Sequence, residues 1–198
     1  QMLRIQADRA HNLTWEEVEQ HVFSQPYLLE RPLLRAITAP RRVVLLEGLT
    51  NHDNVGGVFR NAAAFGVEAV LIDAQTCDPL YRKAIRVSVG GALLVPWTRT
   101  IDSAEMLTVA RGAGFTVVAL TPRSDAVDIS ELGKPGALPD RVALLLGTEG
   151  LGLRAETMAT ADRLARIDMA AGFDSLNVST AAGIALHALR APQPCGRG

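Results

Sequence analysis

Residues 142–153 read VALLLGTEGLGL. The first five are apolar without alternation, which suits a strand covered on both faces rather than a half-exposed one. The character then changes at once. Gly147, Gly150 and Gly152 let the backbone approach a ligand closely and expose N–H and C=O groups to it. A buried strand that empties into a glycine-rich turn fits an open α/β sheet, where ligands collect at the carboxyl ends of the strands. The turn is neither G-x-G-x-x-G nor a P-loop, since no Lys-Ser or Lys-Thr follows, so a dinucleotide or triphosphate fingerprint is missing. Taken alone it reads equally well as a plain strand-to-helix turn.

The same pattern recurs along the chain. VVLL (43–46), AVLI (69–72), LLV (93–95) and FTVVAL (115–120) are further aliphatic runs, and helical patterns lie between most of them, at 55–65, 102–112 and 154–161. Strands separated by helices indicate a mostly parallel sheet flanked by helices, so the fold class is α/β. Residues 122–139, PRSDAVDISELGKPGALP, read as a long connection rich in turn formers, a type that often carries function. The first forty residues differ. Thr14-Trp15-Glu16-Glu17 fits a capping box for a helix to about Ser24, followed by Pro26, Pro32 and Pro40. The expected division is a helical appendage or the remnant of a lost domain at 1–40, an α/β domain at 41–192 and a tail at 193–198.

Composition narrows the class of function. The chain has 198 residues, 48% of them hydrophobic, enough for one α/β domain with a sizeable core. Twenty basic residues oppose twenty-one acidic ones, so a nucleic-acid partner would have to be met by a local patch. Arg31, Arg35, Arg41 and Arg42 form one candidate group, and Arg82, Lys83 and Arg86 another; each reads equally as a solvated face. Cys77 and Cys195 have no metal-ligand spacing and no disulfide framework, which suits a reducing, cytoplasmic setting, and no metal is expected. No apolar run reaches the length of a membrane span, and QMLRIQADRAH is too polar for a signal peptide.

Two more polar stretches follow apolar runs. In NVGGVFRNAAAFG (54–66), Asn54 is a natural N-cap, and Gly56, Gly57, Ala62 and Ala63 permit close helix packing. Arg60 stands among apolar and small neighbours, where a charge normally has a partner or a task; a structural salt bridge or a solvated face are the plainer readings. His52 and Asp53 could form a base and its orienting carboxylate, although surface polar residues are the simpler account. In SLNVST (175–180), four capping candidates, Ser175, Asn177, Ser179 and Thr180, open one helix, with Leu176 and Val178 between them. One cap satisfies the helix, and the spare polar groups would face a site. His187 reads as a surface or core histidine of that helix.

Together the three stretches resemble the signature motifs of the SpoU-type RNA ribose methyltransferases of the SPOUT superfamily. The matches are Asn54 to Arg60 with Phe65-Gly66, then Leu146 to Leu153, then Ile167 to Met169 followed by Ser175 to Ser179, spanning residues 43–189. The resemblance implies transfer of a methyl group from S-adenosylmethionine to a ribose 2′-hydroxyl of tRNA or rRNA, a homodimer, and a deep trefoil knot formed by the C-terminal segment, a feature that contravenes the usual rule against threaded loops. It implies a cofactor pocket built from Gly147, Thr148, Glu149, Gly150, Ile167, Met169, Leu176, Asn177 and Val178. Asn54, Arg60, Glu149, Ser175 and Asn177 match the functional polar positions. One departure stands out: Ile167-Asp168 replaces the usual Ile-Pro, which is expected to alter the pocket wall.

Family mechanisms place an arginine at the ribose, in some accounts as the general base. A guanidinium is a poor proton acceptor, so Arg60 is expected to act as a cation that holds a phosphate and stabilises developing alkoxide charge, with Asn54 and Glu149 orienting it. Two alternatives remain: methylation of a base nitrogen by the same superfamily, and an RNA-binding or assembly protein that keeps the fold without turnover.

Overall fold

The computed structural model describes residues 41–173 and 175–189. The expectations for residues 1–40, including Arg31 and Arg35, and for the tail at 193–198 lie outside the described residues. The sheet is built around β1 (Arg42–Leu46), β2 (Ala69–Ile72) and β6 (Val142–Leu146), which are buried almost throughout. β1 pairs in parallel with β2 on one side and with β6 on the other. Apolar runs without alternation therefore do mark strands covered on both faces. β3 (Trp97–Arg99) extends the β2 side, and β4 (Thr116–Leu120), β7 (Arg163–Arg166) and β5 (Val127–Asp128) extend the β6 side. The seven strands run in the order β3-β2-β1-β6-β4-β7-β5, every pair parallel.

The flanking helices are α1 (His52–Ala64), α2 (Arg82–Val87), α3 (Gly91–Leu94), α4 (Ser103–Gly112), α5 (Ile129–Leu132), α6 (Ala155–Thr160) and α7 (Val178–Ala188). Three sequence expectations about these elements change. LLV (93–95) is not a strand: Gly90 adopts a left-handed conformation, φ 80°, Leu93 and Leu94 close the short α3, and the strand begins only at Trp97, beyond Pro96. α3 lies so close to α1 that a Cβ on Gly91 would sit 2.8 Å from the Phe59 carbonyl oxygen, which explains why glycine starts it. The 122–139 connection is also more ordered than its composition suggests, for it contains β5 and α5, the latter capped by Asp128, whose carboxylate accepts the Ser130 N–H.

The N-cap of α1 is Asn51, whose side chain accepts the Asp53 N–H, and not Asn54. Asn54 belongs to the first turn and points inward, 5% exposed. α1 and α7 pack side by side because Gly57 has no side chain: a Cβ there would fall 2.5 Å from Ser179 Cβ. Asn61 Nδ2 donates to the Ser179 carbonyl at 2.6 Å across the same seam. This packing brings the first turns of α1 and α7 together beside the carboxyl ends of β1 and β6. His187 is an exposed residue of α7, edge-on to Phe65.

Candidate active site

At the carboxyl ends of β4, β6 and β7 lies a cavity of about 370 Å³. Its volume falls within the range of small-molecule sites, roughly 300–1,000 Å³. All nine residues that the motifs assign to cofactor binding line it, from Gly147 through Val178, and so does Ser175. Sequence reasoning missed Leu120, Thr121 and Pro122, which follow β4, and Ala181 in α7. The signal was present in the position of Thr121-Pro122 directly after an apolar run, but no motif marks it.

The glycine-rich turn is folded back on itself. Thr148 pairs with Gly152, whose N–H donates to the Thr148 carbonyl at 3.1 Å, and Gly150 and Gly152 both have positive φ. A Cβ on Gly147 would lie 2.5 Å from the Leu153 nitrogen, so the return of the chain past this residue requires glycine. A buried carboxylate anchors the exit of the turn. Glu47, 2% exposed at the end of β1, accepts the Arg154 N–H at 3.0 Å and the Thr157 hydroxyl at 2.7 Å. The Arg154 guanidinium also approaches it, Nε to Oε1 3.6 Å. This anchor was not foreseen either; its only mark in the sequence is an acidic residue directly after VVLL.

The opposite wall follows β7. Arg166 Nε donates to the Ala126 carbonyl at 3.1 Å and its guanidinium pairs with Asp168, tying the β7 exit to the loop after β4. The Ser130 hydroxyl and N–H, with Arg166 nearby, hold the Asp128 carboxyl below its ordinary value. Asp168 is exposed and does not line the cavity, whereas Ile167 and Met169 on either side of it do. The residue in the proline position thus fixes the wall through an ion pair on its outer side.

At the cavity mouth, Asn177 joins three segments. Its Oδ1 accepts the N–H groups of Ser179 and Thr180, at 2.9 and 3.3 Å, and the Ser179 hydroxyl at 2.6 Å. Its Nδ2 donates to Asn54 Oδ1 at 2.9 Å and to Glu149 Oε1 at 2.7 Å. One amide therefore caps α7 with its oxygen and uses both hydrogens to bring a residue of each other motif to the same point. Arg60 stands apart. It is exposed on α1, and among the described residues it has no hydrogen-bond or ion-pair partner. The side-chain oxygens of Asn54 and Glu149 accept from Asn177, so these bonds do not orient the Arg60 guanidinium. His52 and Asp53 also part company: Asp53 pairs with Lys83 at 2.6 Å, and the His52 ring lies against Tyr81. Among the described residues no group of three or more His, Cys, Asp or Glu could hold a metal ion. No helix among them is long and apolar enough to cross a membrane.

Comparison with known proteins agrees with this geometry. The 23S rRNA (guanosine-2'-O-)-methyltransferase RlmB of Vibrio vulnificus is 33% identical over 181 residues, 90% of this chain and 71% of that protein. A protein described as an uncharacterized tRNA/rRNA methyltransferase of Mycobacterium tuberculosis is 42% identical over 158 residues, 80% of this chain and 54% of its own length. The chain thus spans about half the length of such mycobacterial relatives. Among solved structures, the AdoMet-bound rRNA methyltransferase from Sinorhizobium meliloti superposes with a TM-score of 0.72 at 29% identity, over 80% of this chain and 59% of that one. The SpoU methyltransferase AviRb from Streptomyces viridochromogenes, in complex with AdoMet, gives 0.68 at 25% identity, over 78% and 62%. The sequence profile of the SpoU rRNA Methylase family matches residues 41–187, a span that holds the parallel sheet, the glycine-rich turn and all three polar stretches that meet at Asn177. By motif, fold and relatives alike, the chain belongs to the SpoU rRNA Methylase family.

Proposed function

We propose that this protein transfers a methyl group from S-adenosylmethionine to a ribose 2′-hydroxyl of tRNA or rRNA. The observation that carries the reading is the Asn177 junction at the mouth of the cavity, where the three motifs meet. The names of the relatives add support, since one is a guanosine-2'-O-methyltransferase and two of the solved structures are AdoMet-bound.

The cavity suits such a cofactor. Leu120, Ile167, Leu176 and Val178 offer apolar walls for a flat heterocycle, and the turn at 147–152 offers backbone polar groups for its edges and polar substituents. When bound, the cofactor supplies an electrophilic methyl group on a positively charged sulfur that leaves as a neutral thioether. The chain's own part is positioning and charge control. Asn177 holds one oxygen of Glu149, and the other oxygen accepts the proton of the attacking hydroxyl in this reading. Asn54, fixed by the same amide, orients the ribose. Arg60, an unpaired cation among the described residues, holds a neighbouring phosphate and offsets the charge that develops on the oxygen.

The same reading includes a homodimer, a cytoplasmic setting and a knotted C-terminal segment. Leu151 and Phe173, exposed apolar residues on the segments that also carry Gly150 and Ser175, support an interface there. The return of α7 across β6 to pack on α1 supports the knot. The test is incubation of bulk RNA with the protein and methyl-labelled S-adenosylmethionine, followed by nucleoside analysis. Label in 2′-O-methylnucleosides is expected. Label in a methylated base, or cofactor binding without any transfer to RNA, would overturn the assignment.

A further inference from the structure

The first turn of α1 faces two ways. Asn54 turns to Asn177, while His52 and Asp53 turn toward the start of α2, which follows the loop after β2 at the same end of the sheet. The His52 and Tyr81 rings lie with centroids 4.3 Å apart and planes tilted by 41°. Tyr81 is 55% exposed, so its ring adds little to the core. It is also the N-cap residue of α2 with no side-chain capping bond, a place where a short hydroxyl or amide would serve the helix better. Helix and core alike leave the tyrosine unexplained.

The charges around it are just as local. Lys83 is held by Asp53 at 2.6 Å, and Arg86 is exposed one turn further along α2. Arg60 lies seven residues after Asp53, two turns along the same row of α1. In a chain of net charge −1, Lys83 stands beside the helix end that carries Asn54, and Arg86 and Arg60 lie further along the two packed helices. Exposed rings bordered by cations are what a single-stranded nucleic acid recognises: bases stack on the rings, and phosphates meet the charges.

We propose that the His52–Tyr81 pair, with Lys83, Arg86 and Arg60, binds an unpaired nucleotide of the substrate RNA next to the one being methylated. The base stacks on the exposed face of Tyr81, and the adjoining phosphates lie along the cations. This rests on the RNA methyltransferase reading and adds a substrate subsite to it. Stacking tolerates any base, so the ledge supplies affinity and register but little sequence selectivity.

The experiment compares the wild-type chain with Tyr81→Ala and Tyr81→Phe. It measures equilibrium binding of a fluorescein-labelled, mixed-sequence single-stranded RNA 12-mer, methyl transfer to RNA, and calorimetric titration of S-adenosylmethionine. Tyr81→Ala is expected to weaken 12-mer binding and raise the KM for RNA about tenfold, with kcat within about twofold and cofactor affinity unchanged. Tyr81→Phe should match the wild type, because the ring and not the hydroxyl stacks. Equal RNA affinity in Tyr81→Ala and wild type overturns the ledge while leaving the methyltransferase reading intact. A parallel loss of cofactor affinity in Tyr81→Ala also overturns it, by showing a disturbed fold. A wild-type chain that binds cofactor but no RNA overturns both.

Discussion

Asn177 and Asn54, 123 positions apart in the chain, share a hydrogen bond of 2.9 Å, and the same Asn177 amide group reaches Glu149 at 2.7 Å. Because its oxygen caps α7 at the same time, folding of that helix and assembly of the site depend on one side chain.

The two roles separate by substitution. Asn177→Ala removes both and should cost about 1 kcal/mol from the lost cap alone. Asn177→Asp keeps an acceptor for the Ser179 and Thr180 N–H groups but sets a second carboxylate against Glu149. Its fold should therefore be less damaged than that of the alanine variant, whereas methyl transfer should fall by about 10²-fold in both. Chemical denaturation and steady-state rates on the same preparations check this. An aspartate variant with wild-type turnover would contradict the role of the junction.

Arg60→Ala should leave the fold within about 0.5 kcal/mol of wild type, since the side chain is exposed and without a partner among the described residues. Turnover should drop by about 10²- to 10³-fold, as for loss of a preorganised donor, with cofactor affinity unchanged. Calorimetry beside kinetics reads the two independently. Loss of cofactor binding would place the arginine in the pocket instead of at the ribose.

Gly57→Ala tests the seam between α1 and α7. The added Cβ would meet Ser179 Cβ at 2.5 Å in a contact between two helices. Such overpacking should destabilise by about 1–3 kcal/mol. It should also displace Ser179, next to the Asn177 junction, so activity should fall with stability. A neutral outcome in urea melts would mean that the helices separate at little cost.

Asp162 gives a pH dependence. Its carboxylate accepts the Val117 N–H at 2.8 Å and pairs with Arg111 at 3.0 Å, holding the start of β7 against β4. Burial raises its pKa, but these contacts outweigh the burial and the net value lies below the ordinary one. A depressed folded pKa contributes stability above the unfolded value, near 3.9, and loses it as pH falls through the folded value. Asp162→Ala should therefore cost about 1 kcal/mol at neutral pH, the penalty fading below about pH 4. A penalty constant down to acid pH would show that the carboxylate charge is not what stabilises.

The central strands were legible because their burial is written as unbroken aliphatic runs: Ala69–Ile72 and Val142–Leu146 have the same limits in sequence and structure. The pocket was legible for a different reason, since most of its lining falls in two motif-bearing segments, 146–152 and 167–178, whereas Leu120, Thr121 and Pro122 carry no such mark. What composition could not show was pairing at a distance. Nothing local to Glu47 says that it holds Arg154 and Thr157, more than a hundred positions away. Nothing in LLV (93–95) says that two glycines before it and a proline after it favour a helical turn over a strand. The capping role of Asn51 was likewise hidden behind Asn54, because either amide could open α1 from sequence alone.

The most direct test of the central claim is calorimetric titration of S-adenosylmethionine against the wild-type chain and Leu176→Asp. Leu176 lines the cavity yet is 40% exposed, so a charge there spoils the apolar wall without opening the core. The account predicts one cofactor per chain for wild type and affinity at least about tenfold weaker for the variant at an unchanged unfolding temperature. Equal affinity in the two proteins would contradict it.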